Sequence, residues 1–175
     1  APAGSYESLM AAIQGGADSV YFGAEDLNMR AASSVNFSLA DLRQISAICR
    51  ENNVKSYLTV NVVVFDNELE QMHRIIDAAV ESGISAVIAS DLSVINYAFR
   101  TGIEVHLSTQ LNITNIEALK FYSQWADVAV LARELNLSQV KHISERIAAE
   151  NIKGPGGLPV RLEMFVHGAL CMATS

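Results

Sequence analysis

The stretch Gly15-Gly-Ala-Asp-Ser-Val-Tyr-Phe-Gly23 decides the fold, because its pattern returns twice later in the chain. The two echoes are SGISAVIAS at 82–90 and QWADVAVLA at 124–132. Each copy places the end of a helix, a tight turn and an apolar strand in the same order. Repeated helix–strand units whose strands are apolar on both sides predict a parallel sheet with right-handed crossovers.

Hydrophobic periodicity extends this pattern to six predicted strands with amphipathic helices between them. The strands are expected at Ser19–Gly23, Lys55–Val63, Ala86–Ser90, Glu104–Thr109, Asp127–Ala132 and Arg161–His167. Helix caps are expected at Ser5, Ser38 and Ser138.

The predicted fold class is therefore α/β, a TIM-barrel-like (β/α)8 barrel truncated at both ends. Residues 1–175 are expected to form one partial barrel domain that lacks the first strand and the region after Cys171. A doubly wound open sheet is the alternative, although the GxGxxG fingerprint of a dinucleotide-binding form is absent.

Composition limits the classes of function. The 175 residues carry a net charge of −7, with only 12 Lys and Arg. This segment is therefore a poor candidate for binding RNA or DNA. Two cysteines do not make a disulfide framework, which indicates a reducing, cytoplasmic setting. No apolar run is long enough to span a membrane, so no membrane partner is expected. The oligomeric state does not follow from the sequence.

Polar side chains stand at nearly every predicted strand end, which is where TIM barrels place their active sites. His167, Glu163 and Asp91 are the predicted catalytic residues, and Cys171 is the predicted metal ligand. The predicted substrate-binding residues are Arg30, Asn61, Ser108, Gln110, Asn112, Arg133 and Glu134.

Alternation along the strands refines these predictions. Glu163 is expected to point into the barrel with Arg133 as its partner, since a buried carboxylate needs one. For Asp91, capping of a helix is an equal alternative. His106 is expected to be a structural histidine, and Cys49 to fill the core. The segment Gly154–Gly157 is expected to be a plain turn at the opposite end of the barrel.

The motif E-x-F-x-H-G-A-L-C-M-A-x-S at Glu163–Ser175 closely resembles the signature of peptidase family U32, the collagenase-like proteases. Supporting matches include APAG at the start, GADSVYFG at 16–23 and HLSTQLN at 106–112. The resemblance implies either a protease or an enzyme that hydroxylates RNA or a quinone precursor. It is nearest to the branch that hydroxylates the wobble uridine of tRNA.

For that branch the resemblance implies a [4Fe–4S] cluster in the full-length protein and prephenate as a possible co-substrate. Cys171 would be the first cluster ligand, and the cluster is not expected in this segment alone because its other ligands lie elsewhere. The tRNA would be held by regions outside the segment. Relatives that modify rRNA or quinone precursors give the second alternative.

Elementary chemistry favours the hydroxylase over the protease. Peptide hydrolysis needs an activated nucleophile or a metal-bound water, and the geometry of a Cys171–His167 pair cannot be inferred from spacing. Arg30 and Arg133 suit a dicarboxylate such as prephenate, because guanidinium groups bind carboxylates through two hydrogen bonds. A hydrolase that uses Cys171 or an unrecognised metal, and a non-catalytic scaffold, remain open.

Overall fold

The computed structural model describes residues 1–28 and 37–166. Within this part of the chain six strands alternate with α-helices. The strands are β1 (Ser19–Gly23), β2 (Lys55–Val60), β3 (Ala86–Ala89), β4 (Glu104–Leu107), β5 (Val128–Val130) and β6 (Arg161–Glu163). The helices are α1 (Tyr6–Gln14), α2 (Leu42–Glu51), α3 (Leu69–Ser82), α4 (Leu92–Thr101), α5 (Ile116–Tyr122) and α6 (Leu137–Ala149).

The chain divides into two compact units, residues 1–104 and residues 105–175. In the first unit β1, β2 and β3 pair side by side, all parallel, and Pro2 adds a parallel bridge to Tyr21 at the outer edge of β1. In the second unit β4, β5 and β6 pair in the same way. Parallel strands that neighbour each other in chain order, each joined to the next by a helix, confirm the predicted α/β fold of the TIM-barrel type.

The strands are buried because helices cover one face of each sheet with apolar side chains. Leu42, Ile45 and Cys49 form the buried stripe of α2, and Met72, Ile75 and Ile76 form that of α3. Their i, i+3, i+4 spacing places them on one side of each helix. The prediction that Cys49 fills the core is therefore confirmed.

Two of the three predicted caps are confirmed. The Ser5 hydroxyl accepts a hydrogen bond from the backbone N–H of Ser8, and the backbone N–H of Ser38 donates to Asp41 at 2.8 Å. The third is wrong, because α6 begins two residues earlier than expected. Asn136 is its cap and forms a reciprocal pair with Gln139, while Ser138 lies inside the first turn and donates to the Asn136 side chain.

Five of the six strands end earlier than the apolar runs predict. β2 stops at Val60, and the apolar residues that follow form a loop in which Val63 and Phe65 are exposed. β4 stops at Leu107, where the chain turns into a 3₁₀ helix over Thr109–Leu111. Apolar periodicity continues past the last ladder hydrogen bond into loop residues, so it does not mark strand ends.

The loop between Gly154 and Gly157 lies at the amino end of β5, as predicted for a plain turn. The backbone N–H of Gly156 donates to Asp127 Oδ1 at 2.9 Å, and Asp127 directly precedes β5. A Cβ atom at Gly154 would lie 2.4 Å from Asp127 Oδ1 and 2.8 Å from the Ala126 carbonyl oxygen. Glycine is required here by close approach of the backbone, which explains the sequence without a ligand.

Charge is distributed unevenly between the two units. Residues 1–104 contain six Lys and Arg against thirteen Asp and Glu, whereas residues 105–175 contain six of each. The whole net charge of −7 therefore belongs to the first unit. Within residues 1–28 and 37–166, the structure shows no helix that is both long and apolar enough to cross a bilayer.

Candidate functional site

Three polar residues of the second unit share one face of its sheet. His106 is paired with Val128 and Val128 with Arg161, while Val130 is paired with Glu163. Side chains alternate along a strand, and paired residues of parallel strands point to the same side. His106, Arg161 and Glu163 therefore lie on the same face of the sheet.

His106 and Glu163 form the central contact of this face. His106 Nδ1 lies 3.9 Å from Glu163 Oε1, within ion-pairing distance if the imidazole is protonated. The two side chains differ in access to solvent, since that of His106 is 1% exposed and that of Glu163 is 46% exposed. A buried imidazole thus lies against a carboxylate that a ligand can reach.

The predicted partner of Glu163 was Arg133, and that prediction is wrong. Among the described residues, the group that lies beside the Glu163 carboxylate is the imidazole of His106, with Nδ1 and Oε1 3.9 Å apart. The register explains the difference: Glu163 is paired with Val130, the last residue of β5, and its carbonyl accepts from Leu131 N at 2.9 Å. Arg133 lies three residues beyond Val130, in the turn that follows the strand.

Ser108, Gln110 and Asn112 occupy the turn that follows β4. The Ser108 hydroxyl donates to Gln110 Oε1, and Ser108 is buried while Gln110 is half-buried. Asn112 is exposed and has a φ of 50°, which ends the 3₁₀ helix in a left-handed conformation that asparagine tolerates. The structure thus brings Ser108 and Gln110 into contact and leaves Asn112 at the rim.

The turn after β5 carries the remaining predicted residues of this unit. Arg133 and Glu134 are both exposed there. The backbone N–H of Ala132 donates to the Ile113 carbonyl at 3.1 Å, so the turn after β4 and the turn after β5 are held together. Five of the predicted substrate-binding side chains consequently lie on two linked loops at one end of the unit.

In the first unit, Asp91 has a structural role that is visible in full. Its Oδ1 accepts hydrogen bonds from the backbone N–H of Ser93 at 2.8 Å and from the Ser93 hydroxyl at 2.6 Å, which caps α4. Its Oδ2 accepts from the backbone N–H of Val64 at 3.2 Å. Partial burial pushes the pKa of Asp91 upward, but these hydrogen bonds outweigh it and leave the pKa below its ordinary value.

Asn61 and Glu25 mark the other strand ends of this unit. Asn61 is half-buried and follows the last residue of β2. Glu25 has a φ of 55°, and its Oε1 accepts from Leu39 N at 3.4 Å. A glutamate in the left-handed region is uncommon and costs backbone energy, and such strain is concentrated at functional sites. Nothing in the sequence signalled this conformation.

The predicted residues Arg30, His167 and Cys171 lie outside the described residues. The remaining thiol, Cys49, is buried on α2, and burial raises the pKa of the thiol, so it is suited neither to ligation nor to nucleophilic attack. No group of three or more His, Cys, Asp and Glu side chains capable of holding a metal ion occurs in the described ranges. An iron–sulfur cluster takes about four cysteines, so these ranges do not by themselves fit one.

His106 is fully buried, which agrees with the structural role predicted for it. It was expected to be structural because a lone buried histidine usually is. Its position two residues before Ser108 is the sequence feature that associates His106 with the strand end. Its contact with Glu163, 57 positions later in the chain, could not be predicted from the sequence.

These features define an α/β protein of the TIM-barrel type with polar residues gathered at its strand ends, the arrangement of an enzyme. The sequence profile of peptidase family U32 matches residues 4–175. The chain belongs to this family.

Relatives within the family carry names from two classes of enzyme. A collagenase of Porphyromonas gingivalis is 63% identical over the whole chain and 42% of its own length. The tRNA hydroxylation protein P1 of Bacillus subtilis is 28% identical over the whole chain and 39% of its length. The 23S rRNA 5-hydroxycytidine C2501 synthase of Escherichia coli is 34% identical over 94% of the chain and 23% of its length. The chain thus spans less than half the length of these relatives.

The solved structure of the U32 peptidase Mk0906 has the same fold. It superposes with a TM-score of 0.72 and 13% identity over 93% of this chain and 66% of that one. At this identity the likeness bears on the fold alone.

Proposed function

We propose that this chain is part of an RNA hydroxylase that forms 5-hydroxyuridine at the wobble position of tRNA. The observation that carries the proposal is the chemistry of the strand ends in the second unit. Ser108, Gln110 and Glu163 offer hydrogen-bonding groups that can orient a polar substrate, with His106 buried beneath. Relatives named as tRNA and rRNA hydroxylation enzymes match 94% or more of the chain, which supports the same class of reaction.

The pairing of Ser108 argues against hydrolysis at the described residues. A serine nucleophile needs a neighbouring base that takes its proton. The Ser108 hydroxyl donates instead to Gln110 Oε1, a neutral amide oxygen that is too weak a base for this task. The arrangement positions a ligand rather than activating a nucleophile.

Prephenate is the proposed source of the hydroxyl group. In the second unit, Arg133 would bind a carboxylate of prephenate, with Ser108 and Gln110 contacting its hydroxyl group. Arg30 and Asn61 are the substrate-binding residues predicted for the first unit. Calorimetric titration of the full-length protein tests this, with the double Arg30→Ala, Arg133→Ala variant beside it. Prephenate binding that survives the loss of both guanidinium groups would reject the assignment.

The proposed [4Fe–4S] cluster would use Cys171 together with cysteines from the rest of the full-length protein. No step of the reaction is assigned to it here, since the described residues do not hold it. Iron and sulfide analysis of anaerobically purified full-length protein, with and without Cys171→Ser, is the direct test. Equal iron and sulfide in both samples would remove Cys171 from the ligand set.

Peptide hydrolysis is the second candidate, and the collagenase name of the 63%-identical relative favours it. Cys171 with His167 would then be the reactive pair. Incubating the same full-length preparation with denatured collagen decides between the two. Cleavage that is lost in Cys171→Ser would establish hydrolysis.

The test of the leading proposal is the tRNA nucleoside profile of a strain that lacks the gene. Loss of wobble 5-hydroxyuridine is expected. An unchanged tRNA profile would contradict hydroxylation of the wobble uridine. Loss of a hydroxylated cytidine from rRNA would support rRNA as the substrate instead.

A further inference from the structure

A groove of about 350 Å³ lies between the first turns of α5 and α6, outside the residues already assigned. Its floor is formed by Ile116 and Ile143, which are both buried. Its walls carry the side chains of Thr114, Asn115, Ser138, Gln139 and His142. Small-molecule sites have volumes of about 300–1,000 Å³, so this groove is sized for one small group.

The hydrogen-bonding capacity of the groove is biased toward donors. Asn115 Oδ1 accepts from the backbone N–H of Ala118 at 2.9 Å, and Gln139 Oε1 accepts from the backbone N–H of Asn136 at 2.9 Å. Because both amide oxygens are engaged in capping helices, the orientation of each amide is fixed and its NH₂ group remains to donate. His142 adds an imidazole N–H.

The electrostatic setting also suits a ligand rich in oxygen acceptors. None of the described residues that line the groove is acidic. The groove belongs to the second unit, which carries no net charge, whereas the net charge of −7 lies in residues 1–104. The excess of acidic residues therefore lies outside the unit that contains the groove.

The groove is close to the candidate active site along both loops that line it. Thr114 comes two residues after Asn112, and Ser138 comes four residues after Glu134. The hydrogen bond from Ala132 N to the Ile113 carbonyl joins these loops. A ligand in the groove would therefore lie at the rim of the strand ends of the same unit.

We propose that this groove binds one unstacked nucleotide of the RNA substrate. The base would lie against Ile116 and Ile143, and its carbonyl oxygens would accept from the amide groups of Asn115 and Gln139. Splayed bases of single-stranded RNA are usually recognised by stacking on an aromatic ring or a guanidinium plane and by hydrogen bonds to their edges, and the ring available in this groove is that of His142. The inference rests on the proposed function, since it requires an RNA substrate.

Gln139→Glu is the variant that tests the groove without disturbing the fold. Glutamate serves as well as glutamine in the reciprocal cap with Asn136, and a negative charge in the first turn of a helix is favourable. The substitution therefore keeps α6 intact while it replaces a donor with a carboxylate. Ser144→Glu is the matched control, because Ser144 is exposed on the opposite side of the same helix and receives the same charge.

The experiment measures the Kd of the full-length protein for an unmodified tRNA transcript that has a wobble uridine, by fluorescence anisotropy. We expect Gln139→Glu to weaken binding about tenfold and Ser144→Glu to change it less than about twofold, with equal thermal unfolding. Equal Kd values for the wild type and Gln139→Glu, or equal weakening in both variants, would contradict the proposal that the groove binds a nucleotide. The proposed function of the protein would not be affected by that result. Absence of tRNA binding by the wild type would overturn both.

Discussion

Asp91 and Glu163 were both predicted to be catalytic carboxylates at strand ends, and the structure gives them opposite surroundings. Asp91 accepts three hydrogen bonds, two of them from Ser93, and so caps α4 and fixes the loop that contains Val64. Glu163 is 46% exposed and lies 3.9 Å from one buried imidazole. A carboxylate whose oxygens accept hydrogen bonds from the surrounding protein, such as Asp91, stabilises the fold. A carboxylate that contacts one neighbouring side chain and is half exposed, such as Glu163, can still accept hydrogen bonds from a ligand.

The largest expected effect that follows from this comparison is on Glu163. Under the proposed function, and with Glu163 as the catalytic carboxylate predicted from the sequence, replacement by Gln should lower the rate of hydroxylation at least about 100-fold, because acid–base groups contribute about 10²–10⁴ in rate. Stability should change by less than about 0.5 kcal/mol, since the side chain is half exposed and its shape is kept. Single-turnover measurements on tRNA check the rate. A variant with wild-type turnover would place the chemistry elsewhere.

Asp91 should show the reverse pattern. Asp91→Ala should lower the free energy of unfolding by about 1–2 kcal/mol through loss of the helix cap, with turnover reduced less than about twofold. Asp91→Asn should recover most of the stability, because asparagine also caps helices. Urea titration provides the free energies. If Asp91→Asn is stable but inactive, Asp91 is catalytic after all and the contrast with Glu163 disappears.

The contact between His106 and Glu163 predicts a coupling between them. His106→Gln should reduce turnover about tenfold when Glu163 is present and have little effect beside Glu163→Gln, which corresponds to a coupling of about 1.4 kcal/mol. The comparison uses single-turnover rates of the two single variants and the double variant. Additive losses would mean that His106 merely fills space, and recovery by His106→Asn would show that a hydrogen-bonding group at this position suffices.

The smallest expected effect concerns acid stability. The pKa of Asp91 is lowered in the folded protein, so its ionised form adds stability that is present above its ordinary pKa and is lost as the pH falls through the lowered value. The difference in unfolding free energy between the wild type and Asp91→Asn should therefore shrink as the pH is lowered from 7 to 3. Urea titrations along this series provide the check, and a constant difference would indicate that the charge of Asp91 is irrelevant to stability.

The fold was predictable because it depends on local repetition, while the site depends on contacts between distant parts of the chain. All six predicted strand regions contain a strand, since each apolar run is flanked by its own helix and turn. The contact of His106 with Glu163, and the absence of the expected one with Arg133, depend on which residues of β4, β5 and β6 are paired. The role of Asp91 depended on the Val64 N–H, which comes from a different loop.

The most direct test of the account returns the gene to a strain that lacks it, in three forms: wild type, Asp91→Asn and Glu163→Gln. Mass spectrometry of tRNA nucleosides then measures 5-hydroxyuridine at equal protein levels. Full recovery is expected with the wild type and with Asp91→Asn, and almost none with Glu163→Gln. Recovery with Glu163→Gln equal to that with the wild type would contradict this expectation.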